Sequence, residues 1–220
     1  MVWFFVLTVF SVAGYSVSSV AEAQTRGRAT AAAPATRTEA PSIKCPQVLG
    51  EGVQTKRTFC DVVIARDPAG GILIPLPPHT GPVTLTFDLH NRHLYSEELA
   101  KTNRGFRRYM AEIGLLTADN TPITKAFVFS EFRSAADLFD RVSGGSGPGG
   151  VKAIAPTGLE TISVTIPAEE NSVSIVGLRL TEVRLDGTDR FEIVGRPVAV
   201  ISNVMIEYRP APPRAPARRR

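Results

Sequence analysis

The chain has 220 residues, 43% of them hydrophobic and 21% charged, and a formal net charge of +4. This composition is typical of a chain with a folded core, and it excludes a wholly disordered protein. The positive charge does not indicate nucleic-acid binding, because it lies at the ends. Four Lys and Arg residues fall in 24–44 and five Arg in 209–220, which leaves 16 basic against 19 acidic side chains in 45–208.

The first 20 residues carry no charged side chain, and Ala21-Glu22-Ala23 follows them. Small residues two apart after an apolar stretch are the pattern that a signal peptidase cleaves. We therefore predict a signal peptide over 1–23 and a secreted or periplasmic protein. The alternative is an uncleaved N-terminal anchor, since about 20 apolar residues can span a bilayer. No later stretch predicts a transmembrane segment.

The two cysteines, Cys45 and Cys60, are expected to form a disulfide bond. An isolated pair in an exported chain is most simply a structural bridge. Closing a loop of about 15 residues is worth roughly 3 kcal/mol in the chain-entropy model. A metal or redox pair is the alternative, but the spacing is much longer than Cys-x-x-Cys.

The composition divides the exported chain into three parts. Residues 24–44 are rich in Ala, Thr, Pro and Arg and have few bulky apolar side chains, which predicts a disordered linker. Residues 45–208 are predicted to form one domain. The tail 209–220 is rich in Pro and Arg, and such a tail can contact an acidic polymer or a lipid surface through charge.

The clearest local pattern runs from Val83 to His90, where apolar and polar residues alternate as on a half-buried strand. Asn91 interrupts the alternation, and we expect the strand to end there. Residues 96–106 predict a short helix, and 109–117 with 123–132 predict a hairpin. Three aromatic residues of these strands are expected to face the core: Phe87, Phe127 and Phe129.

Ser134 to Val142 is the most helical stretch, with Ser134 as N-cap, and the Gly-rich run 143–150 predicts a loop. Short apolar runs with turn residues between them predict the other strands: 59–66, 72–76, 151–155, 160–166, 172–176, 178–185, 191–194 and 198–208. About ten short strands with one or two short helices predict a mainly β protein. We expect an antiparallel two-sheet β-sandwich, either jelly-roll or immunoglobulin-like.

Two clusters are candidates for chemistry or binding. The first is a metal site formed by His79, Asp88, His90 and His93, which would suit a metal-dependent hydrolase. On a regular strand His90 and His93 point to opposite faces, so this site requires the strand to end or bulge near Asn91. The alternative without a metal is an Asp88–His90 hydrogen bond on a solvated face.

The second candidate is a ligand or partner surface around the short helix. It combines aromatic and cationic side chains: Tyr95, Arg104, Phe106, Arg107, Arg108 and Tyr109. A carbohydrate platform of the usual kind is disfavoured, because Trp3 is the only tryptophan and lies in the predicted signal peptide. The alternative interpretation is that these residues close one end of the sandwich.

No nucleophile motif, phosphate-binding glycine loop or calcium-binding loop is present. We therefore expect an exported, non-catalytic binding or structural module of the cell envelope or extracellular space, without a cofactor. Its expected partner is a protein or polymer of the envelope rather than nucleic acid. The metal-dependent hydrolase is the alternative.

Overall fold

The computed structural model describes residues 35–142 and 153–212. Strands hold most of these residues, and two antiparallel sheets pack face to face. The predicted mainly β, two-sheet sandwich is therefore confirmed. Alternation of apolar and polar residues gives each strand one face that packs against the opposite sheet.

The first sheet has six strands, in the order β2-β3-β11-β5-β8, and β1 pairs with the end of β11. Its strands are β1 (Arg37–Glu39), β2 (Val48–Glu51), β3 (Thr58–Val63), β5 (Val83–Tyr95), β8 (Ala153–Ile166) and β11 (Pro197–Tyr208).

The second sheet has five strands, in the order β10-β9-β6-β7, and β4 pairs with the first half of β9. Its strands are β4 (Ile72–Pro75), β6 (Arg107–Thr117), β7 (Pro122–Phe132), β9 (Ser172–Arg184) and β10 (Gly187–Phe191). β6 and β7 form the predicted hairpin, paired from Arg107 opposite Phe132 towards the turn.

The core between the sheets is mostly aliphatic, with Val83, Leu85, Phe87 and Leu89 of β5 buried against β6, β9 and β11 side chains. β5 does not end at Asn91, so that prediction is wrong. A register shift between Leu89 and Asn91 absorbs the irregularity, and the strand continues to Tyr95. The inward face of β5 therefore extends to Tyr95, two residues before the short helix begins at Glu97.

The prediction that Phe127 and Phe129 face the core is wrong. Both side chains are about half exposed, whereas Val128, Ser130 and Phe132 of the same strand point inward. Alternation identifies the two faces of a strand, but the position of the neighbouring sheet decides which face is buried.

The predicted helix over 96–106 is present as α1 (Glu97–Lys101), with the Ser96 side chain accepting a hydrogen bond from the Leu99 amide. The predicted helix over 134–142 is wrong. Ser134 and Asp137 form a reciprocal capping box around a 3-10 turn at Ala135–Asp137, and the chain then extends. Leu138 and Val142 bridge to β8 instead of continuing a helix.

This extended segment covers the outer face of the six-stranded sheet. Phe139 and Val142 pack there with Phe59 of β3 and Val200 of β11, which forms a second, smaller apolar cluster. Residues that alternation assigns to a solvated face, His90 among them, are consequently buried.

In two places, two consecutive predicted strands form one continuous strand: 151–155 with 160–166, and 172–176 with 178–185. β8 runs through Gly158, which adopts φ +69°, and β9 runs through Gly177. Irregularities in pairing beside these glycines keep both strands continuous. A glycine inside a strand often marks such a bulge or a close approach of another backbone.

The predicted linker 24–44 extends too far. Residues 37–39 pair with β11, and Lys44 bridges to Leu73 of β4. The predicted disulfide between Cys45 and Cys60 is present. Residues 1–34 with the predicted signal peptide, the glycine loop 143–150 and the tail beyond 212 lie outside the described residues.

Within the described ranges, none of the helices has the length and apolar character that crossing a membrane requires.

Candidate functional site

A cleft of ≈ 190 Å³ opens at the end of the sandwich beside α1, and we call it the arginine cleft. Strands from both sheets build it, because β5 and β9 finish there and β6 begins there. Period-two alternation places Arg107 and Tyr109 of β6 on the same face. The cleft is lined by Arg92, Leu94, Ser96, Leu99, Arg107, Tyr109, Leu180, Glu182, Arg196 and Pro197.

Three guanidinium groups and one carboxylate line this cleft. Arg107 pairs with Glu182 at 3.0 Å, and Arg92 pairs with the buried Asp61 at 3.1 Å. Arg196 is exposed and lies over the Phe191 ring, 3.5 Å from its centroid. Among the described residues no carboxylate lies within ion-pair distance of Arg196, so its charge is available to a ligand.

A second cleft of ≈ 300 Å³ adjoins the first, and the two share Leu99 and Arg107. Arg104 and Arg184 also line it. Arg184 pairs with Asp186 and Asp189, whereas Arg104 has no ion pair within the described part of the chain. The combined surface therefore presents two exposed, unpaired guanidinium groups, those of Arg104 and Arg196.

Tyr109, which lines the arginine cleft, forms a buried polar pair with His93, which lies behind it and outside the lining of the cleft. The Tyr109 hydroxyl lies 2.9 Å from Nδ1 of His93, and the His93 ring stacks on Phe132 with centroids 3.9 Å apart. Burial, assisted by the positive charge of Arg107, lowers the pKa of His93 to about 3. Burial, assisted by the negative charge of Glu182, raises the pKa of Tyr109. Both groups are therefore neutral at pH 7.

The structure brings together only part of the predicted binding surface. Arg104, Arg107 and Tyr109 line the two clefts. Tyr95 is buried against Phe132, with the Arg141 guanidinium 4.5 Å from its ring centroid.

Two other members of the predicted surface lie elsewhere. Phe106 is half-buried beneath Arg133, whose guanidinium lies 5.8 Å from the ring centroid. Arg108 faces outward from the five-stranded sheet and pairs with Glu131. Neither residue lines either cleft.

The sequence alone does not indicate Arg196, Glu182 or His93 as members of this site. Arg196 and Glu182 lie more than 70 residues after Arg107 in the chain. Only the pairing of Tyr109 with Glu182 across β6 and β9 brings these two strands into register. The sequence predicts His93 as a metal ligand, whereas its contact with Tyr109 depends on β5 continuing past Asn91.

The predicted metal cluster does not form. His90 Nδ1 lies 2.8 Å from the Gly158 carbonyl oxygen and its Nε2 lies 3.1 Å from Ser202 Oγ. His93 faces Tyr109, and His79 Nδ1 lies 2.8 Å from the Pro77 carbonyl oxygen. Within the described ranges, no three His, Cys, Asp or Glu side chains are placed to hold a metal ion.

Asp88 belongs to a structural network on the outer face of the six-stranded sheet. It pairs with Arg57 at 2.7 Å and accepts hydrogen bonds from Thr161 and Asn203. The expected Asp88–His90 hydrogen bond is replaced by these contacts. Burial lowers the pKa of His90, and the Gly158 carbonyl and the Asp88 charge oppose that effect.

A wider cleft of ≈ 540 Å³ runs between residues 40–48 and β11, with the Cys45–Cys60 bridge in its wall. Its lining is mainly apolar and includes Ile43, Val204 and Met205. It contains one charged side chain, Arg57, which is already paired with Asp88. This cleft therefore offers less electrostatic selectivity than the arginine cleft.

No known family model matches this chain, and no curated protein matches its sequence. Among solved structures, the catalytic domain of a GH87 alpha-1,3-glucanase in complex with nigerose aligns at 11% identity with a TM-score of 0.22. A variant of that domain, also with nigerose, aligns at 13% identity with the same TM-score. Each alignment covers 83% of this chain and 28% of the solved structure, so the chain spans about a quarter of their length. A TM-score of 0.22 does not establish a shared fold, so these likenesses carry no functional argument.

Proposed function

We propose that this protein is an exported, non-catalytic binding module of the cell envelope or extracellular space, and that the arginine cleft with its neighbour is its ligand surface. The observation that carries this proposal is the pair of exposed guanidinium groups, Arg104 and Arg196, that have no ion pair among the described residues. The disulfide supports export, because such bonds persist in oxidising compartments.

An acidic polymer of the envelope is the partner that this surface fits best. Guanidinium groups bind carboxylates and phosphates through charge-assisted hydrogen bonds. The arginine-rich tail 209–220 adds a second, less specific attraction for the same kind of polymer. In this proposal the cleft positions the acidic groups of the polymer, and the tail attracts the polymer over a longer distance through its charge.

The test measures retention of the mature protein on three immobilised polymers: polygalacturonate, polyphosphate and dextran. We expect retention on an acidic polymer and none on neutral dextran. Binding should weaken as salt rises, because screening reduces exposed electrostatic interactions. Failure of the protein to bind either acidic polymer would contradict the proposal.

Three single variants assign the surface. Arg104→Ala and Arg196→Ala each remove one unpaired charge from the clefts, so neither leaves a buried carboxylate without a partner. Arg66→Ala removes an exposed charge from the loop after β3 and is the matched control. We expect the first two to reduce retention several-fold and Arg66→Ala to leave it nearly unchanged. Equal losses in all three variants would show diffuse charge binding instead of a defined surface.

Truncation after residue 212 separates the tail from the clefts. If the tail contributes only long-range charge, its removal lowers affinity at low salt but keeps the dependence on Arg104 and Arg196. Complete loss of binding on truncation would place the ligand surface on the tail and overturn the assignment to the clefts.

A further inference from the structure

The His93 imidazole is 2% exposed and has one satisfied and one unsatisfied nitrogen. Nδ1 lies within hydrogen-bond distance of the Tyr109 hydroxyl. Nε2 is buried and has no hydrogen-bond partner among the described residues. Buried polar atoms in native proteins are nearly always paired, so an unpaired one requires an explanation.

The proton arrangement of the pair depends on which group donates. The Tyr109 hydroxyl stays protonated at neutral pH, and when it donates to Nδ1 the proton of the neutral imidazole is on Nε2. The imidazole itself stays neutral because it is buried and lies near Arg107, both of which lower its pKa. His93 Nε2–H is then a neutral, rigidly held donor that lacks an acceptor.

Space for an acceptor exists beside the ring. His93 lines a small cavity of ≈ 10 Å³, which is about the space that one water molecule needs. This cavity shares Leu94, Ser96, Leu99 and Arg107 with the arginine cleft. An oxygen atom that occupies this small cavity, whether it belongs to a ligand in the adjoining cleft or to a water molecule, would therefore lie next to the histidine.

The charge of the cleft favours a monoanion. Asp61 and Glu182 offset the charges of Arg92 and Arg107, which leaves a net charge of +1 at this cleft, while the Arg107 guanidinium remains a cation that can donate further hydrogen bonds. A carboxylate balances one charge, whereas a phosphate group near neutral pH carries up to two. The Glu182 carboxylate on the wall repels the second negative charge.

We propose that the arginine cleft binds a carboxylate group, with Arg196 and Arg107 as charged donors and His93 Nε2–H as a neutral donor from the small cavity that adjoins the cleft. This inference rests on the proposed binding function and names the chemistry of its ligand. A uronic acid presents this group, either as a free sugar or as a unit of an acidic polysaccharide. Arginine supplies the charge, and the histidine selects the position of the carboxylate oxygen.

The test compares two histidine variants in binding to galacturonate, to polygalacturonate and to inorganic phosphate. His93→Phe keeps a ring that can stack on Phe132 and removes both nitrogens. His79→Phe is the matched control, since His79 Nε2 is also buried and unpaired among the described residues but lies by Pro210, away from the cleft. We expect His93→Phe to weaken carboxylate binding about tenfold and His79→Phe to leave it unchanged.

A spectroscopic readout keeps the proposal testable if His93→Phe folds poorly. In protein with ¹⁵N-labelled histidine, the His93 Nε2–H signal should shift on addition of galacturonate, and the ring ¹⁵N signals of His79 and His90 should not. Tyr109→Phe removes the hydroxyl that fixes the tautomer and should also weaken binding. Binding of polygalacturonate alone, with the same dependence on His93, would assign the carboxylate to a polymer and support the proposal.

Two results would overturn this inference without overturning the binding function. One is retention on an acidic polymer that depends on Arg104 and Arg196 but is unchanged in His93→Phe. The other is an equal shift of the His93 signal by inorganic phosphate and galacturonate, which would remove the selectivity for carboxylate. Loss of all polymer binding in the unaltered protein would instead reject the binding function itself.

Discussion

Asp140 shows how a single buried carboxylate organises a segment that has no regular secondary structure. Its two oxygens accept hydrogen bonds from the backbone amides of Gln54, Thr55 and Arg141, and from the Thr55 hydroxyl at 2.6 Å. These contacts tie the extended segment 138–142 to the turn before β3. Burial opposes ionisation, but the hydrogen bonds from Thr55, Gln54 and Arg141 outweigh it and lower the pKa of Asp140 to about 2.

Replacing Asp140 by Asn should lower the free energy of unfolding by about 1–3 kcal/mol at pH 7, because partly buried amides lose a charged acceptor. A carboxyl group whose pKa falls from 3.8 to about 2 on folding stabilises the protein fully above its unfolded pKa. That stabilisation is lost as the pH falls through about 2. Urea unfolding at several pH values checks this.

The difference in unfolding free energy between the unaltered protein and Asp140→Asn separates the contribution of Asp140 from those of the other acidic groups. Asp119, Glu131 and Asp137 also have lowered pKa values and contribute to the acid dependence of both proteins. The stability difference between the unaltered protein and Asp140→Asn should shrink between about pH 4 and about pH 2. A difference that stays constant over this range would contradict the role assigned to the carboxylate.

Among the strands, β9 shows how a glycine permits two backbones to approach. A Cβ atom at Gly177 would lie 2.6 Å from Val198 Cγ2, 2.9 Å from the Val63 carbonyl carbon and 3.0 Å from the Ile64 nitrogen. Gly177 also forms an isolated bridge with Ile64. The close contact between the two sheets at this point therefore depends on the missing side chain.

Gly177→Ala should destabilise the protein by about 1–3 kcal/mol, since backbone atoms cannot yield as a flexible side chain can. Gly114→Ala is the matched control in β6, where the nearest atom to an added Cβ would be a Leu178 methyl at 3.5 Å. We expect its effect to be within about 0.5 kcal/mol. Thermal and urea unfolding of both variants measure the contrast, and similar losses in the two would contradict the proposed backbone contact.

For the whole molecule, the disulfide connects the N-terminal segment to the core. Cys45 packs at the edge of the core from the segment between β1 and β2, and Cys60 is buried in β3. The bridge closes a sequence separation of 15 residues. Its main effect is to reduce the entropy of the unfolded chain.

Reduction of this bond should lower the free energy of unfolding by roughly 3 kcal/mol while the sheets remain formed. Urea unfolding with and without dithiothreitol, together with far-UV circular dichroism, provides the measurement. The double variant Cys45→Ser with Cys60→Ser should have the reduced stability and no further response to dithiothreitol. Complete loss of β structure on reduction would show that the bond is required for the fold itself.

Local sequence determined those features that depend on neighbouring residues. Alternation from Val83 to Leu89 identified the central strand, Ser96 marked the start of α1, and the turn residues near Asn120 separated the two strands of the hairpin. The cysteine pair was identified because only two cysteines exist. Each of these inferences depends on backbone geometry or composition over a few residues, which the sequence displays directly.

Only the tertiary structure decided which faces are buried and which charges meet. Phe129 is exposed because it points away from the six-stranded sheet, and His90 is buried because the segment 138–142 covers the outer face of its sheet. Alternation within one strand indicates neither. The arginine cleft joins Arg107 to Glu182, 75 positions apart, through the pairing of β6 with β9, and Arg196 is held beside them by a hydrogen bond from the Ile64 amide to its carbonyl oxygen. Burial and long-range pairing depend on the whole chain, so this site is formed only by the tertiary arrangement of the strands.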